Sequence, residues 1–238
     1  MALLKSADAY IFPSKIMPEK FHINSKKFVV IHGTYSVESM RNVKKDDHYI
    51  HVVYAGTLDP RKGSLEAVAA AEYLPENYWI HICGNGSEVV LENLKNAIQK
   101  VNKLGKAKVS FEGVLVGEEY IDFLQSCDIG LCTQDPTASF TDTSFPSKIL
   151  SYLSNGLRVL AIDIPAIRNS DVVDILFFYQ EQNAKEIANG ILSIDMKSRY
   201  DGREYINELY YQSKRKLENF NNRIVSVVLS VKKEIRKF

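Results

Sequence analysis

Between Tyr49 and Tyr179 the sequence alternates short apolar runs with longer segments whose apolar residues recur every three or four positions. Apolar runs that end at turn residues are typical of buried strands, and the three-to-four spacing is typical of amphipathic helices. Strands that are apolar throughout, separated by helices, predict an α/β fold with a Rossmann-like parallel sheet covered by helices on both faces. The predicted strands of this sheet are Ile50–Ala55, Trp79–Cys83, Val109–Phe111, Asp128–Cys132, Val159–Ile162 and Ile175–Tyr179.

The segments that flank this pattern divide the chain into three parts. Two short apolar runs, 9–12 and 28–32, predict strands on either side of a proline-broken helix, which together are too small to close a core. A polar, aperiodic stretch at 34–48 predicts a linker, and the pattern after Asn183 is helical to the end. The resulting division is a remnant of another domain with its linker at 1–48, a Rossmann-like domain at 49–195, and C-terminal helices at 196–238.

Composition narrows the class of protein. The 238 residues carry a net charge of +1, with 45% hydrophobic and 25% charged residues, as in globular proteins. The sequence contains neither a signal peptide nor an apolar run of about eighteen residues, which predicts a cytoplasmic protein without a membrane span. Hydrolase, metalloprotease and Walker motifs are absent, so no metal is expected. The cysteines, all beside apolar runs, predict buried free thiols: Cys83, Cys127 and Cys132.

The charge is unevenly distributed along the chain. From Lys197 onward there are eleven Lys and Arg residues against five acidic ones. A helix that packs on the protein and ends in a solvated basic turn explains this pattern. The alternative is a basic amphipathic helix that touches anionic lipid and makes the protein peripheral at the membrane.

Two loops that follow predicted strands carry candidate phosphate-binding residues. The turn 56–63 contains two glycines, which let a ligand approach the backbone, and the adjacent cations Arg61 and Lys62. The segment 84–86 also contains two glycines, but Val89 stands where a dinucleotide fingerprint has its third, which disfavours a dehydrogenase. In a parallel sheet such loops meet at one edge, and ligands bind there.

A helix predicted to begin at Pro146 and to end before Gly156 supplies a third candidate. Proline suits the first helical turn, and glycine suits the position after the last one. Unbonded N–H groups, the hydroxyl of Ser147 and the ammonium of Lys148 stand at its start, and this combination favours a phosphate. An ordinary solvent-facing helix start explains the same residues, and the stretch alone does not decide between the two.

The order of these motifs resembles a known family. A G-x-L-x3-K-G turn, a strand followed by G-x-G, a strand that ends in F-x-G and an F-P-S-K helix start follow one another as in the C-terminal half of the nucleotide-sugar glycosyltransferases of the GT-B fold, the large retaining group 1 family. The resemblance covers about residues 50–195. It implies a donor-binding domain, preceded at 1–33 by the last part of an N-terminal acceptor domain that is mostly absent from the chain.

The resemblance implies roles for individual residues. Lys62 matches the lysine that holds the donor diphosphate and carries the main electrostatic role in catalysis, with Arg61 as its helper. The other residues implied to contact the donor are Gly56 and Thr57 after the first strand, Gly84 and Gly86 on the cleft floor, Val114 against the nucleobase, and Pro146, Ser147 and Lys148 at the phosphates.

Three positions depart from the family pattern. Thr57 stands where the family has an arginine, and Thr143 and Ser151 stand at its two glutamates, eight residues apart. The first of these glutamates contacts the sugar, and the second accepts hydrogen bonds from the ribose. Threonine and serine can bind the same hydroxyl groups, but without the charge that strengthens such bonds.

Residues and resemblance together predict a glycosyltransferase of the hexosyltransferase type, incomplete as given, that uses a UDP- or GDP-sugar in polysaccharide biosynthesis. Its partners would be the nucleotide sugar and a carbohydrate or lipid-linked acceptor, with no nucleic acid and no cofactor besides the donor. The alternatives are a non-catalytic nucleotide-sugar-binding module and a GT-B nucleotide-sugar epimerase.

Overall fold

The structure, a computed structural model, describes residues 7–23, 27–141 and 143–235, with side chains up to residue 226. In chain order its strands and helices are β1 (Tyr10–Phe12), α1 (Ile16–Lys20), β2 (Phe28–Val30), β3 (Ile50–Ala55), α2 (Ser64–Ala70), β4 (Tyr78–Cys83), α3 (Glu88–Asn102), β5 (Lys108–Gly113), α4 (Gly117–Ser126), β6 (Ile129–Cys132), α5 (Lys148–Ser154), β7 (Arg158–Ile162), α6 (Pro165–Arg168), β8 (Phe177–Tyr179), α7 (Ala184–Ser193) and α8 (Gly202–Ile235).

Strands β3 to β8 form one fully parallel sheet in the spatial order β5-β4-β3-β6-β7-β8. The chain builds outward from β3 in one direction, crosses back after β5, and then builds outward from β6 in the other direction. This is the doubly wound order of Rossmann-like sheets, and it creates a switch point between β3 and β6. The predicted α/β fold with a Rossmann-like parallel sheet is confirmed.

Helices cover both faces of this sheet. Helix α2 packs against α3 and α7, whereas α5 packs against β6, β7 and α8. Right-handed crossovers that run in opposite directions along a sheet place their helices on opposite faces. The central strands are consequently shielded on both sides, and Val52, Tyr54 and Leu131 have no exposed surface.

The first two strands stand apart from the main sheet and pair in parallel with each other. Asp171 joins this part to the rest of the molecule, because its carboxylate lies 3.4 Å from Lys15, 3.6 Å from a ring nitrogen of His32 and 2.9 Å from Lys216 of α8. His32, and after it Lys216, holds the pKa of the Asp171 carboxyl well below its usual range. The three-part domain division stays a prediction.

The predicted linker at 34–48 contains no helix or strand, yet it is fixed to the sheet domain. The Arg41 guanidinium donates a 2.8 Å hydrogen bond to Asp122 of α4. The Lys44 ammonium lies 2.6 Å from the Asp128 carboxylate, just before β6. These contacts make the segment a docked strap along the domain.

Two histidines that the sequence places inside strands form a buried pair. His51 Nδ1 lies 2.9 Å from His81 Nε2. The Asp47 carboxylate lies 3.1 Å from His51 Nε2, and the Glu112 carboxylate lies 2.8 Å from His81 Nδ1. Burial lowers the pKa of His81, and the nearby Glu112 carboxylate opposes this effect. The pair packs within the sheet domain.

Several predicted bounds differ from those of the structure. The helix predicted from Pro146 begins at Lys148, because its entry is a tighter turn with hydrogen bonds between residues three apart. The sixth strand contains only Phe177–Tyr179, since 173–175 form a 3-10 turn. The chain after Asn183 is not helical throughout, because 194–201 lie outside the helices and separate α7 from α8.

The three cysteines are free and buried, as predicted. Desolvation raises the pKa of the Cys127 thiol to about 12 and that of the Cys132 thiol to about 11. A thiol reacts through its thiolate, so these two cysteines are inert near neutral pH.

In the described part of the chain, no helix is long and apolar enough to cross a membrane. Four of the eleven basic residues from Lys197 onward lie beyond the described side chains: Lys232, Lys233, Arg236 and Lys237.

Candidate active site

A cleft of about 630 Å³ opens at the carboxyl ends of the strands, over the switch point between β3 and β6. Its walls are formed by the segments that follow β3, β4, β5 and β6 and by the start of α5. Doubly wound sheets bind ligands at this position, because the connections of the two central strands leave toward opposite faces and open a crevice.

Two glycines let the strand ends close the cleft floor. Gly56 follows β3, Gly84 follows β4, and each has a φ of +145°, a value that favours glycine. A Cβ on Gly84 would lie 1.8 Å from the carbonyl oxygen of Gly56, and a Cβ on Gly56 would lie 3.3 Å from Lys148 Nζ. The missing side chains therefore let the two backbones touch and let an ammonium group lie against them.

Lys148 carries a buried ammonium in this cleft. Its Nζ is inaccessible to solvent and has no hydrogen-bond partner in the described structure, although the residue as a whole is partly exposed. The Tyr54 ring supplies a cation–π contact at 3.9 Å from Nζ to the ring centroid. Desolvation lowers the pKa of Lys148 to about 8. Because an unpaired buried charge is costly, an anion bound here would be stabilised strongly.

Lys62 brings a second cation to the same cleft. It ends a 3-10 turn at 60–62, and its Nζ lies 3.9 Å from the centroid of the Phe140 ring, in the loop between β6 and α5. Lys62 and Lys148 are the charged residues among the described cleft-lining ones, and none of those is acidic. In the described part of the chain, no group of three or more His, Cys, Asp or Glu residues is placed to hold a metal ion. The cleft is thus positive and suited to an anion.

Arg61 is directed to a different partner. Its guanidinium donates to the Asp59 carboxylate through Nε (3.0 Å) and Nη2 (2.6 Å), and it does not line the cleft. Asp59 also accepts the Arg61 backbone N–H, and these bonds lower the pKa of Asp59 to about 2. The pair fixes the turn that carries Lys62, while the charge of Arg61 is matched within the turn.

A buried tyrosine joins α5 to the end of β3. The Tyr152 hydroxyl accepts a hydrogen bond from the Ala55 N–H at 2.8 Å and donates to the Ala55 carbonyl oxygen at 3.3 Å. The Tyr152 ring has no exposed surface and packs against Gly130 of β6. These contacts hold the first turns of α5, with Lys148 and Ser151, against the strand end.

The opposite end of the cleft is neutral. Val114 is 59% exposed after β5, and Leu115, Tyr120 of α4 and Tyr35 of the docked strap complete this wall. Tyr120 also interacts with the Ser151 side chain. An apolar wall with nearby hydroxyl groups suits a nucleoside, just as the two lysines suit its phosphates.

The family model described as glycosyl transferases group 1 matches residues 37–208, which include the strands and loops that build the cleft. The chain belongs to the group 1 glycosyltransferases. Among curated proteins, no sequence matches it.

Solved structures share the fold of this chain. Anabaena Alr3699/HepE, in complex with UDP and glucose, matches with a TM-score of 0.66 at 17% identity, over 94% of this chain and 64% of that one. The lipopolysaccharide outer core galactosyltransferase WaaB, in its apo form, matches with a TM-score of 0.67 at 17% identity, over 92% of this chain and 62% of that one. AviGT4, a glycosyltransferase involved in avilamycin A biosynthesis, matches with a TM-score of 0.65 at 16% identity, over 91% of this chain and 63% of that one.

At these identities the likeness shows the GT-B fold alone. The chain spans a little less than two thirds of the length of each of these structures.

Most site residues predicted for the glycosyltransferase meet in the cleft. Those that line it are Gly56, Thr57, Lys62, Gly84, Val114, Pro146, Ser147, Lys148 and Ser151. Arg61, Gly86 and Thr143 do not line it. A Cβ on Gly86 would touch Val90 and Leu58, so this glycine serves packing. The Thr143 N–H donates to the Phe140 carbonyl oxygen at 3.2 Å, within the loop.

Sequence reasoning missed several residues of the cleft wall, chief among them Tyr35, Tyr120 and Gln134. The position of Gln134 just after a predicted strand is a signal that could have indicated it. Tyr35 lies in a segment predicted as a linker, and no local pattern shows that this segment docks beside the cleft. Tyr120 reads as an ordinary apolar position of an amphipathic helix.

Proposed function

We propose that this chain is the donor-binding part of a glycosyltransferase that transfers a hexosyl group, with retained anomeric configuration, from a UDP- or GDP-sugar. The acceptor would be a carbohydrate or a lipid-linked carbohydrate, as in polysaccharide biosynthesis. The observation that carries the proposal is the buried, unpartnered ammonium of Lys148, which shares the switch-point cleft with Lys62.

The chemistry of glycosyl transfer requires such a site. As the bond between the anomeric carbon and the diphosphate oxygen breaks, negative charge accumulates on the departing nucleoside diphosphate. Two fixed ammonium groups in a partly desolvated cleft stabilise that charge more strongly than water does, and they need not reorient during the reaction. Lys62 and Lys148 would therefore bind the diphosphate in the ground state and stabilise it further as it leaves.

The neutral wall supports a nucleoside at the far end of the cleft. The base would lie on Val114 and Leu115, with the ribose hydroxyls near Ser151 and Tyr120. The structures of Anabaena Alr3699/HepE contain UDP, UDP-glucose, or UDP with glucose, which makes uridine nucleotides the first probes to use. Contact of the basic C-terminus with a membrane surface stays part of the proposal.

Nucleotide binding by the purified chain tests the proposal. UDP, GDP and ADP are titrated by calorimetry beside uridine, guanosine and adenosine, and at least one diphosphate should bind much more tightly than its nucleoside. Lys62→Ala should weaken the binding of that diphosphate by about 1.5–3 kcal/mol, the range of a charge-assisted hydrogen bond. The affinity for the nucleoside should stay unchanged.

Lys100→Ala is the matched control, because this exposed lysine lies on α3 and does not line the cleft. It should leave both affinities unchanged. Equal losses for diphosphate and nucleoside in Lys62→Ala, or no binding of any diphosphate by the native chain, would refute the assignment.

One observation favours a second candidate, a nucleotide-sugar-binding module without turnover. None of the described residues that line the cleft is acidic, and Thr57 and Ser151 stand there as neutral groups. Hydrolysis or transfer of UDP-glucose, followed with a radiolabelled sugar, separates the two candidates. Release of sugar that Lys62→Ala abolishes supports the enzyme, whereas tight binding without release supports the module.

A further inference from the structure

Gln134 is a buried polar residue in the cleft whose side-chain nitrogen has no hydrogen-bond partner in the described structure. It directly follows Thr133 beyond the end of β6, and only 2% of its surface is exposed. Its Nε2 has no hydrogen-bond partner in the described structure, and the residue lines the cleft. Most buried side-chain amides are hydrogen-bonded, and one that is not destabilises the fold. Folding therefore does not explain why a glutamine stands here.

The backbone around Gln134 is fixed to the turn that carries Lys62. The Thr133 hydroxyl lies 2.9 Å from the Lys62 carbonyl oxygen, to which it donates, and the Asp135 N–H donates to the Arg61 carbonyl oxygen at 2.9 Å. One anchor thus lies on each side of Gln134. The backbone of Gln134 is consequently held beside the turn that carries Lys62, and both residues line the cleft.

We propose that Gln134 Nε2 donates a hydrogen bond to a hydroxyl group of the donor's sugar, which makes Gln134 a specificity-determining residue for the transferred sugar. This inference rests on the proposed function. Lys62 and Lys148 supply charged partners for the diphosphate, and charged donors bind phosphate better than an amide does. A sugar hydroxyl both donates and accepts, and a carboxamide offers both capacities. Since no described lining residue is acidic and the two lysines are assigned to the diphosphate, neutral groups are the partners that this lining offers to the sugar.

A second glutamine provides a matched control. Gln182 Nε2 is also buried without a partner, and it lies against Gly63. Its Oε1 accepts a hydrogen bond from the Tyr179 hydroxyl at 2.5 Å, and the residue does not line the cleft. A loss of binding caused only by a disturbed buried amide would occur at both positions, whereas a sugar contact would be lost at Gln134 alone.

The test compares a nucleoside diphosphate with its glucose ester. UDP and UDP-glucose are titrated into the native chain, Gln134→Leu, Gln134→Asn and Gln182→Leu, with GDP and ADP and their glucose esters as parallel arms. Thermal unfolding first verifies that each variant is folded. In Gln134→Leu the glucose ester should bind about threefold to tenfold more weakly, the range for a lost neutral hydrogen bond, while the free diphosphate binds as before. Gln134→Asn, whose amide is one methylene shorter, should show a smaller loss of the same selectivity.

The other outcomes overturn the proposal. Equal weakening of UDP and UDP-glucose in Gln134→Leu would place the amide at the phosphates, and unchanged affinity for both would remove it from the site. The same selective loss in Gln182→Leu would mean that the effect is not a direct contact. If the native chain binds none of the diphosphates or their esters, the proposed function itself fails, and this inference fails with it.

Discussion

Replacing Lys148 by methionine should make the chain more stable and at the same time unable to bind a nucleoside diphosphate. The ammonium is buried without a hydrogen-bond partner. Methionine is unbranched and only one heavy atom shorter than lysine, and its thioether suits the neighbouring Tyr54 ring without carrying a charge. Replacing a core residue lowers the free energy of unfolding, whereas replacing a residue whose buried charge serves a ligand should raise it.

The pKa of Lys148 gives the size of the effect. It falls from 10.5 to about 8 on folding, because burial penalises the charged form. At about 1.4 kcal/mol for each pH unit, the folded protein near pH 7 is destabilised by about 3 kcal/mol relative to one with a neutral group in the same place. The free energy of unfolding of Lys148→Met should exceed that of the native chain by roughly this amount.

The difference in unfolding free energy between Lys148→Met and the native chain should depend on pH. Below pH 8 both the folded and the unfolded chain carry the Lys148 proton, so the full penalty applies. Between pH 8 and pH 10.5 the folded chain has released the proton and the unfolded chain has not, so the native protein gains stability relative to the variant. The advantage of Lys148→Met should therefore shrink across this range and vanish near its upper end.

Urea unfolding followed by circular dichroism at pH 7, 8, 9 and 10 measures both quantities. Lys62→Met is the matched control, since it removes the other cation of the cleft and should weaken diphosphate binding. It should raise stability far less than Lys148→Met, because desolvation is the largest cause of the lowered Lys148 pKa and repulsion from Lys62 is a smaller one. A Lys148→Met variant that is no more stable than the native chain at pH 7, or a stability difference that is the same at every pH, would show that the folded chain does not bury a costly charge at Lys148.

Two further substitutions test how α5 is placed and what it contributes. Tyr152→Phe removes the hydroxyl that bonds to the N–H and C=O groups of Ala55. Urea titration should show a loss of about 1–3 kcal/mol of unfolding free energy. A loss near zero would show that this hydroxyl does not hold α5 against the end of β3. Ser151→Glu places a carboxylate where the family has its ribose-binding glutamate, so UDP should gain affinity relative to its 2′,3′-dideoxy analogue; an unchanged ratio would show that Ser151 lies away from the ribose.

The sheet was predictable because its signal is local. Each of the strands Ile50–Ala55 and Tyr78–Cys83 is an apolar run bounded by turn residues, and the alternation with helices dictates a parallel arrangement. The bounds that failed depend on hydrogen bonds that a pattern does not reveal. At Pro146 the entry turn is tighter than an α-helix, and at 194–201 the chain leaves the helix before α8 begins.

The candidate site was predictable only in its loops. Lys62 and Lys148 follow turn signals at strand ends, and the topology brings their loops together. The sequence does not tell that the Lys148 ammonium is buried beneath the cleft while Arg61 is held by Asp59, because both outcomes depend on side-chain packing. Gln134 follows a predicted strand, which is a signal of the cleft edge. Its burial, which distinguishes it from a solvated loop glutamine, depends on side-chain packing and is not visible in the sequence.

The number of protons taken up when UDP-glucose binds tests most directly whether the Lys148 ammonium receives the donor's phosphates. Its diphosphate ester has no group that titrates near pH 8, so uptake there reports the protein. Calorimetry at pH 7 and pH 8, in two buffers of different ionisation enthalpy, measures the number. A bound diphosphate should restore the Lys148 proton, with an uptake of about half a proton at pH 8 and about a tenth at pH 7. Binding without uptake at pH 8, or no binding at all, would contradict the claim that the Lys148 ammonium receives the donor's phosphates.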